Sequence, residues 1–294
     1  MSPILHISLS TACLYHFPLR RTLALAAEAG YDGVELVMGP EVWVRGAGHV
    51  ASLSRECGLQ VFAVHQALLF GSPWGRDAGR MVEALHTALE LGCPRVVIHG
   101  PEAYRWAEPV AQRWLRILEE CQKRTMGSAT RLALENPGNR RRVLGQPELL
   151  ENFARRYDLD ITFDACHAGD QMIPAYMLLR GRMANLHFSD LKPSFRHHCW
   201  PRLAYSLYVE HQMPGEGHLP LGELVAQIAA DGYPGPISME IGPLTLRSWS
   251  PGALRRRLAQ ALEYVRAATP QTSPGARAHP APDPRRPAAS QKSV

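Results

Sequence analysis

Apolar and polar positions between residues 4 and 268 follow two alternating rhythms. A short, nearly continuous apolar run stops at a polar residue, and a longer stretch with apolar residues at helical spacing follows it. Ile4–Leu9 predicts a strand and Leu19–Ala29 a helix ended by Gly30. Gly33–Val37 is the next strand, and Ala47–Cys57 the next helix, ended by Gly58. Leu59–Val64 stops at His65 and precedes the helix Asp77–Leu91; Arg95–Ile98 stops at His99 and precedes the helical stretch Trp106–Arg124. Arg131–Leu134 stops at Glu135, with Pro147–Tyr157 helical after it. Leu159–Phe163 stops at Asp164, followed by the helix Gln171–Arg180. Met183–Leu186 stops at His187, and a long loop runs to Pro220 before the helix Leu221–Ala230. Ile237–Met239 stops at Glu240, and Pro251–Ala268 closes the pattern as a helix with proline suited to its first turn.

Eight strand–helix repeats whose strands do not alternate in polarity imply a parallel sheet buried on both faces, closed into a (βα)8 TIM barrel. A doubly wound open sheet is the competing topology. Closure is preferred because at least six strands end in a polar residue. A barrel brings such ends to one rim, whereas an open sheet spreads them across its width.

Those ends are His65, His99, Glu135, Asp164, His187 and Glu240, with His167 and His211 in adjoining loops. Taken alone, each histidine reads as a hydrogen-bonded core residue, and Asp164-x-x-His167 as a loop cap. As a set they point to a cation, and imidazole with carboxylate but without thiolate suits catalytic zinc, manganese or iron(II).

Composition narrows the picture. A chain of 294 residues, 46% hydrophobic and 20% charged, accommodates one barrel and a tail. Residues 1–268 are read as the catalytic barrel and 269–294, rich in Pro, Ala and Arg, as a disordered extension. The net charge of +5 is misleading, since Arg277, Arg285, Arg286 and Lys292 against Asp283 leave only +2 for the body, too little for the basic face of a long-duplex binder. Six cysteines without a Cys-x-x-Cys pair suit a reducing compartment, and no apolar run has the length of a membrane span. The expectation is a cytoplasmic enzyme acting on a small molecule, in no membrane and on no long nucleic acid, its oligomeric state unspecified.

Gly30-Tyr31-Asp32-Gly33-Val34-Glu35-Leu36, Leu134-Glu135-Asn136, Phe163-Asp164-Ala165-Cys166-His167-Ala168-Gly169, Leu186-His187-Phe188-Ser189-Asp190, Pro214-Gly215-Glu216-Gly217 and Met239-Glu240 together resemble the motifs of the xylose isomerase-like TIM barrels. That superfamily holds sugar (phosphate) isomerases and epimerases and the endonuclease IV-type phosphodiester hydrolases of the AP endonuclease 2 family. The resemblance runs from about residue 4 to 266. It implies a metal held by Glu135, Asp164, His187 and Glu240, the positions both branches share. In an isomerase or epimerase one such ion polarises a hydroxy-ketone while Glu135 or Glu240 moves a proton between carbons. That chemistry leaves His65 and His99 without a role. Both match in place the histidines ending the third and fourth strands of the endonuclease IV group, and His167 and His211 match its ligands for a further zinc. One departure stands against a third ion: the pattern has an aspartate two residues before the position of His211, and this chain has Val209, with Glu210 beside it. His167 and His211 are then alternatives for holding substrate oxygens.

The inventory therefore favours a zinc- or manganese-dependent phosphodiesterase using one to three ions, with Glu135, Glu240 and His167 as catalytic candidates. A single-metal isomerase or epimerase is the alternative, and a metal-binding barrel without turnover the third reading. Arg140, Arg141 and Arg142 after the Glu135 strand, and Lys192 and Arg196 after the His187 strand, are candidates for meeting phosphate, weighed against a solvated charge run. Trp43, Trp74 and Trp200 are candidates for stacking on a base. A small nucleotide-like phosphodiester is expected, the cobamide-remodelling phosphodiesterases being one relative with such a substrate. Gly215-Glu216-Gly217 is read as a turn closing the rim and not as a dinucleotide fingerprint.

Overall fold

In the computed structural model, which describes residues 5–68, 78–193, 205 and 208–269, eight parallel strands pair in sequence order and the eighth returns to the first. The strands are β1 His6–Ser10, β2 Gly33–Val37, β3 Gln60–His65, β4 Arg95–His99, β5 Arg131–Glu135, β6 Asp160–Asp164, β7 Met183–Phe188 and β8 Pro236–Met239. Every ladder is parallel, and β1 pairs with both β2 and β8. The closed barrel is the predicted architecture. The competing open sheet is excluded because an open sheet leaves two unpaired edges.

The helices are α1 Leu19–Ala29, α2 Pro40–Cys57, α3 Ala78–Leu91, α4 Pro109–Thr125, α5 Pro147–Arg156, α6 Ala165–Ala168, α7 Met172–Leu179, α8 Leu221–Ala230 and α9 Pro251–Ala268. Four of them begin with proline, where the missing N–H costs nothing and φ is already helical. Four strands run to the polar residue that stops the apolar run, so His65, His99, Glu135 and Asp164 are the last residues of β3 to β6, while β7 continues one residue past His187 and β8 ends one residue before Glu240. A polar side chain ends a hydrophobic pattern without ending the hydrogen-bond ladder. The predicted helix Ala47–Cys57 is the regular part of α2, which is broken at Gly46 by a φ of 72°.

Leu, Val and Ile of the outward strand positions pack against the helices. Leu9, Val34, Leu36, Val96, Ile98, Leu134, Ile161, Phe163, Leu186 and Ile237 are all fully buried. Among the described residues of the loop after β7, one carboxylate anchors the segment 215–219. Asp190 Oδ2 accepts from the Gly215 and Gly217 amides, both at 2.9 Å, and Oδ1 from Leu191 and Leu219 at 2.8 and 3.1 Å. A Cβ on Gly217 would lie 2.2 Å from Asp190 Oδ1, so only glycine fits. This is the rim-closing turn predicted for Gly215-Glu216-Gly217. Ile4, Trp74, Arg196, Cys199, Trp200 and the tail from residue 270 lie outside the described residues. The five described cysteines are free thiols, and no helix among the described residues is long and apolar enough to cross a membrane.

Candidate metal centre

Side chains alternate along a strand, so residues two apart share a face, and adjacent strands set which of them are neighbours. His99 is the ladder partner of Glu135, and Asp164 the partner of His187. Glu240 follows Met239, itself paired with Phe188. Six of the eight predicted ligands consequently fall into three overlapping groups: His65, Glu135 and His187; Glu135, Asp164 and His167; and Asp164, His187 and Glu240. Within each group the ligand atoms lie within 4.8 Å of one another.

Glu135 is the hub. Its Oε2 is 3.0 Å from His99 Nε2, 3.2 Å from His65 Nε2 and 3.6 Å from His187 Nδ1, while Oε1 is 3.1 Å from His167 Nδ1. His187 Nδ1 is also 2.9 Å from Glu240 Oε2 and 3.7 Å from Asp164 Oδ2. His99 is the exception in exposure, at 38%, so it stands at the mouth while the others form the floor.

The second nitrogen of each ring decides what the first offers. His65 Nδ1 is 2.6 Å from the Gln66 carbonyl oxygen, which can only accept, so it carries a proton and Nε2 faces Glu135. His187 Nε2 is 3.0 Å from Glu35 Oε2, which also accepts from Asn185 Nδ2 at 2.7 Å, so His187 presents Nδ1 to the carboxylates. A carboxylate behind an imidazole is the usual support of a metal-ligating histidine. In a neutral ring both presented nitrogens are lone pairs aimed at carboxylate oxygens, which is repulsive unless a cation or an extra proton lies between. His187 Nδ1 and Asp164 Oδ2 are moreover buried without a hydrogen-bond partner, despite their close neighbours. Orphaned, converging N and O atoms of this kind fit a divalent ion.

Asp164 serves two purposes. Its Oδ1 accepts from the His167 amide at 2.8 Å and caps α6, while Oδ2 is the orphan. The loop-cap and ligand readings of Asp164-x-x-His167 thus fall on different oxygens. Asn136 braces the same strand end, donating to the Asp164 carbonyl at 3.0 Å and accepting from its amide at 2.6 Å. His167 Nδ1 lies 3.0 Å from the Asn136 carbonyl oxygen and is therefore a donor, which leaves Nε2 as its nitrogen for a ligand or substrate. His211 lies outside the three groups: its Nδ1 pairs with Ser189 Oγ at 3.2 Å and its ring meets His167 edge-on at 5.8 Å. Val209 is a buried apolar residue and offers no ligand at that position.

Without a cation, protons take its place. Burial lowers the His167 imidazole, but Asp164 and Glu135 outweigh it and hold it up at about 10. Burial likewise opposes His65 and His187; Glu135 overcomes it for the first, and Glu35, Glu240 and Glu135 for the second. Burial would raise Glu135 and Glu240, but the surrounding imidazoles hold both below the usual carboxylate range.

Arg140 lines a small cavity with Asn136, Pro137 and His167, beside the cluster. Arg141 is exposed on the same loop, Arg142 is paired with Glu102 at 3.0 Å, and Lys192 is exposed after β7. Trp43 is half-buried. Glu35 and Asn185 were not among the sequence candidates. Their signal was a polar residue in the middle of a buried strand, which in a barrel must find a partner across the interior.

Residues 23–268 match the family described as xylose isomerase-like TIM barrel. An uncharacterised protein of Mycobacterium leprae is 25% identical over 299 residues, 90% of this chain and 98% of its own. The fold is similar to a D-tagatose 3-epimerase-like protein (TM-score 0.68, 20% identity, 90% of this chain and 97% of that one). It is also similar to an AP endonuclease, family 2, from Brucella melitensis (TM-score 0.64, 17% identity, 89% and 99%). A third similar structure is an IolI protein with a bound zinc atom (TM-score 0.63, 16% identity, 90% and 96%).

Proposed function

Because the chain belongs to the xylose isomerase-like TIM barrel family, whose members are enzymes, we propose that it is a divalent-metal-dependent hydrolase of a phosphodiester in a small, nucleotide-like substrate. The observation that carries this reading is the number of donors around Glu135. His65, His99 and His187 approach its Oε2 from β3, β4 and β7, and His187 is shared with Asp164 and Glu240. That is more donors than one four-coordinate ion takes. Glu135, Asp164, His187 and Glu240 would hold one zinc or manganese ion, and His65 and His99 with Glu135 a second. Bound ions would supply Lewis acidity at the phosphoryl oxygens and lower the pKa of water. Glu35 fixes the ring of His187, and Asn136 fixes the end of β6. His167, with Nδ1 committed to the Asn136 carbonyl, keeps Nε2 to hold or give a proton at a substrate oxygen. Arg140 beside it offers a fork for phosphate. Body charge of only +2 supports a small substrate over long nucleic acid.

The test is metal content per purified chain together with a screen of phosphodiesters and ketoses in added zinc and manganese. More than one equivalent, reduced by His65→Ala or His99→Ala along with diester cleavage, supports the hydrolase. The alternative, a single-metal isomerase or epimerase, draws on Glu135 and Glu240 flanking His187 Nδ1 at 3.6 and 2.9 Å, a pair suited to moving a proton across one ion. One equivalent, unaffected in both variants, with turnover of a ketose would establish it in place of the hydrolase.

A further inference from the structure

A second cavity, of about 100 Å³, opens on the same rim outside the ligand cluster, between the 3-10 turn Thr11–Leu14 and the start of α2. Leu14, Tyr15, Phe17, Met38, Val42 and Leu68 give it an apolar wall. Its polar neighbours are turned toward the protein. Thr11 Oγ1 accepts from the Val37 amide at 2.8 Å, and Glu41 Oε2 accepts from the Leu19 amide at 2.8 Å, with Oε1 3.1 Å from His49 Nε2. A polar guest would find few partners here. Pro40, Glu41 and Val42, which line it together with the preceding Gly39, belong to the start of α2, before the break at Gly46 with φ 72° and ψ 175°.

Its position ties it to the centre. Val37 is the ladder partner of His65, and the Met38 amide donates to the His65 carbonyl at 2.9 Å. On the other flank, Cys13 of the same 3-10 turn donates from Sγ to the Met239 carbonyl at 3.2 Å and accepts from the Ile241 amide at 3.1 Å, bracketing Glu240. The wall residue Val37 therefore stands one strand spacing, about 5 Å, from His65, and the wall residues Ala12 and Leu14 flank the cysteine that brackets Glu240.

We propose that this cavity is a substrate subsite for a flat apolar ring, held beside the metal-ligand cluster while the reacting group sits on it. The cavity is smaller than the apolar cavity of about 150 Å³ that holds benzene, so it takes one edge of a ring through its open side, and the aromatic wall residues Tyr15 and Phe17 suit a flat guest. The subsite rests on the hydrolase reading only for which bond is cut. It adds that the substrate carries an aromatic or similarly planar apolar group, and that a wholly polar sugar phosphate leaves this space unused.

The experiment is binding, with indole as the probe and glycerol as the polar control, followed by ligand-observed NMR on the zinc-loaded full chain. Ala12→Leu, at a half-exposed wall position, and Val42→Trp fill the cavity. Circular dichroism and zinc content show that each variant is folded and loaded; should Val42→Trp fail to fold, Ala12→Leu decides alone. The expected result is saturable indole binding with contacts to the Met38 and Val42 methyl groups, weakened roughly ten-fold or more in the filled variants, and no binding of glycerol. No saturable indole binding by the wild type, or equal affinity in wild type and filled variants, overturns the subsite. Because the readout is binding, a phosphodiester screen without turnover would remove the proposed function and leave this result standing.

Discussion

Replacing Glu35 by glutamine removes one charge from behind the metal-ligand cluster without removing a single candidate ligand. Glu35 is fully buried, and its Oε2 accepts from His187 Nε2 at 3.0 Å and from Asn185 Nδ2 at 2.7 Å. Glutamine keeps one oxygen to accept these bonds but loses the charge that makes them strong, and it no longer raises the basicity of the His187 nitrogen that faces Glu240. Carboxylates in this position are worth about 10- to 100-fold in metal affinity, or about 1.4 to 2.8 kcal/mol at about 1.4 kcal/mol per ten-fold. The assay is the zinc dissociation constant, measured near neutral pH by competition with a chromophoric chelator. It compares wild type, Glu35→Gln, Glu35→Asp and the exposed control Glu148→Gln, with thermal melts to confirm folding. Loss in Glu35→Gln with partial recovery in Glu35→Asp is expected. Affinity within about two-fold of wild type for Glu35→Gln would refute the argument that this carboxylate orients and charges His187.

Two further outcomes follow from the same geometry. The His167 imidazole is held up at about 10 in the metal-free protein, above its unfolded value of about 6.5. The stability it contributes is therefore fully present below about pH 6.5 and lost as the pH climbs toward about 10. Chelator-treated protein should show a lower guanidinium midpoint at high pH than near pH 6.5, zinc affinity should rise over the same window as displaced protons are released, and equal midpoints would contradict the raised pKa. Separately, Asp190→Ala strips the acceptor from four backbone amides and should cost about 3 to 5 kcal/mol in denaturant unfolding; a loss under about 1 kcal/mol would show that the turn after β7 does not depend on it.

The alternation of apolar runs and helical stretches was enough to read the barrel and, within one or two residues, most strand and helix bounds. Each unit is local, and glycine or proline marks its ends. The rim was legible for a related reason. In a closed parallel barrel every strand's C-terminal end reaches the same rim, so polar residues ending apolar runs were already known to converge, and His65, His99, Glu135, Asp164, His187 and Glu240 do so.

What the chain's order could not say is which atom of each residue faces which. Glu35 lies 152 residues from His187 and 150 from Asn185, and only barrel closure brings a carboxylate buried in β2 behind an imidazole of β7. The two oxygens of Asp164 are identical in sequence and different in space, one capping α6 and one left for a cation. His167 and His211 read alike as loop histidines, yet the Asn136 carbonyl turns one ring toward Glu135 and Asp164, while Ser189 holds the other outside the ligand groups. The apolar cavity beside His65 had no signal at all, because it forms where a 3-10 turn, a strand end and a broken helix meet. Residue type and local periodicity determined the architecture and the list of candidate ligands; orientation, second partners and empty space belong to the tertiary structure, since they depend on atoms brought together across the barrel from distant parts of the chain.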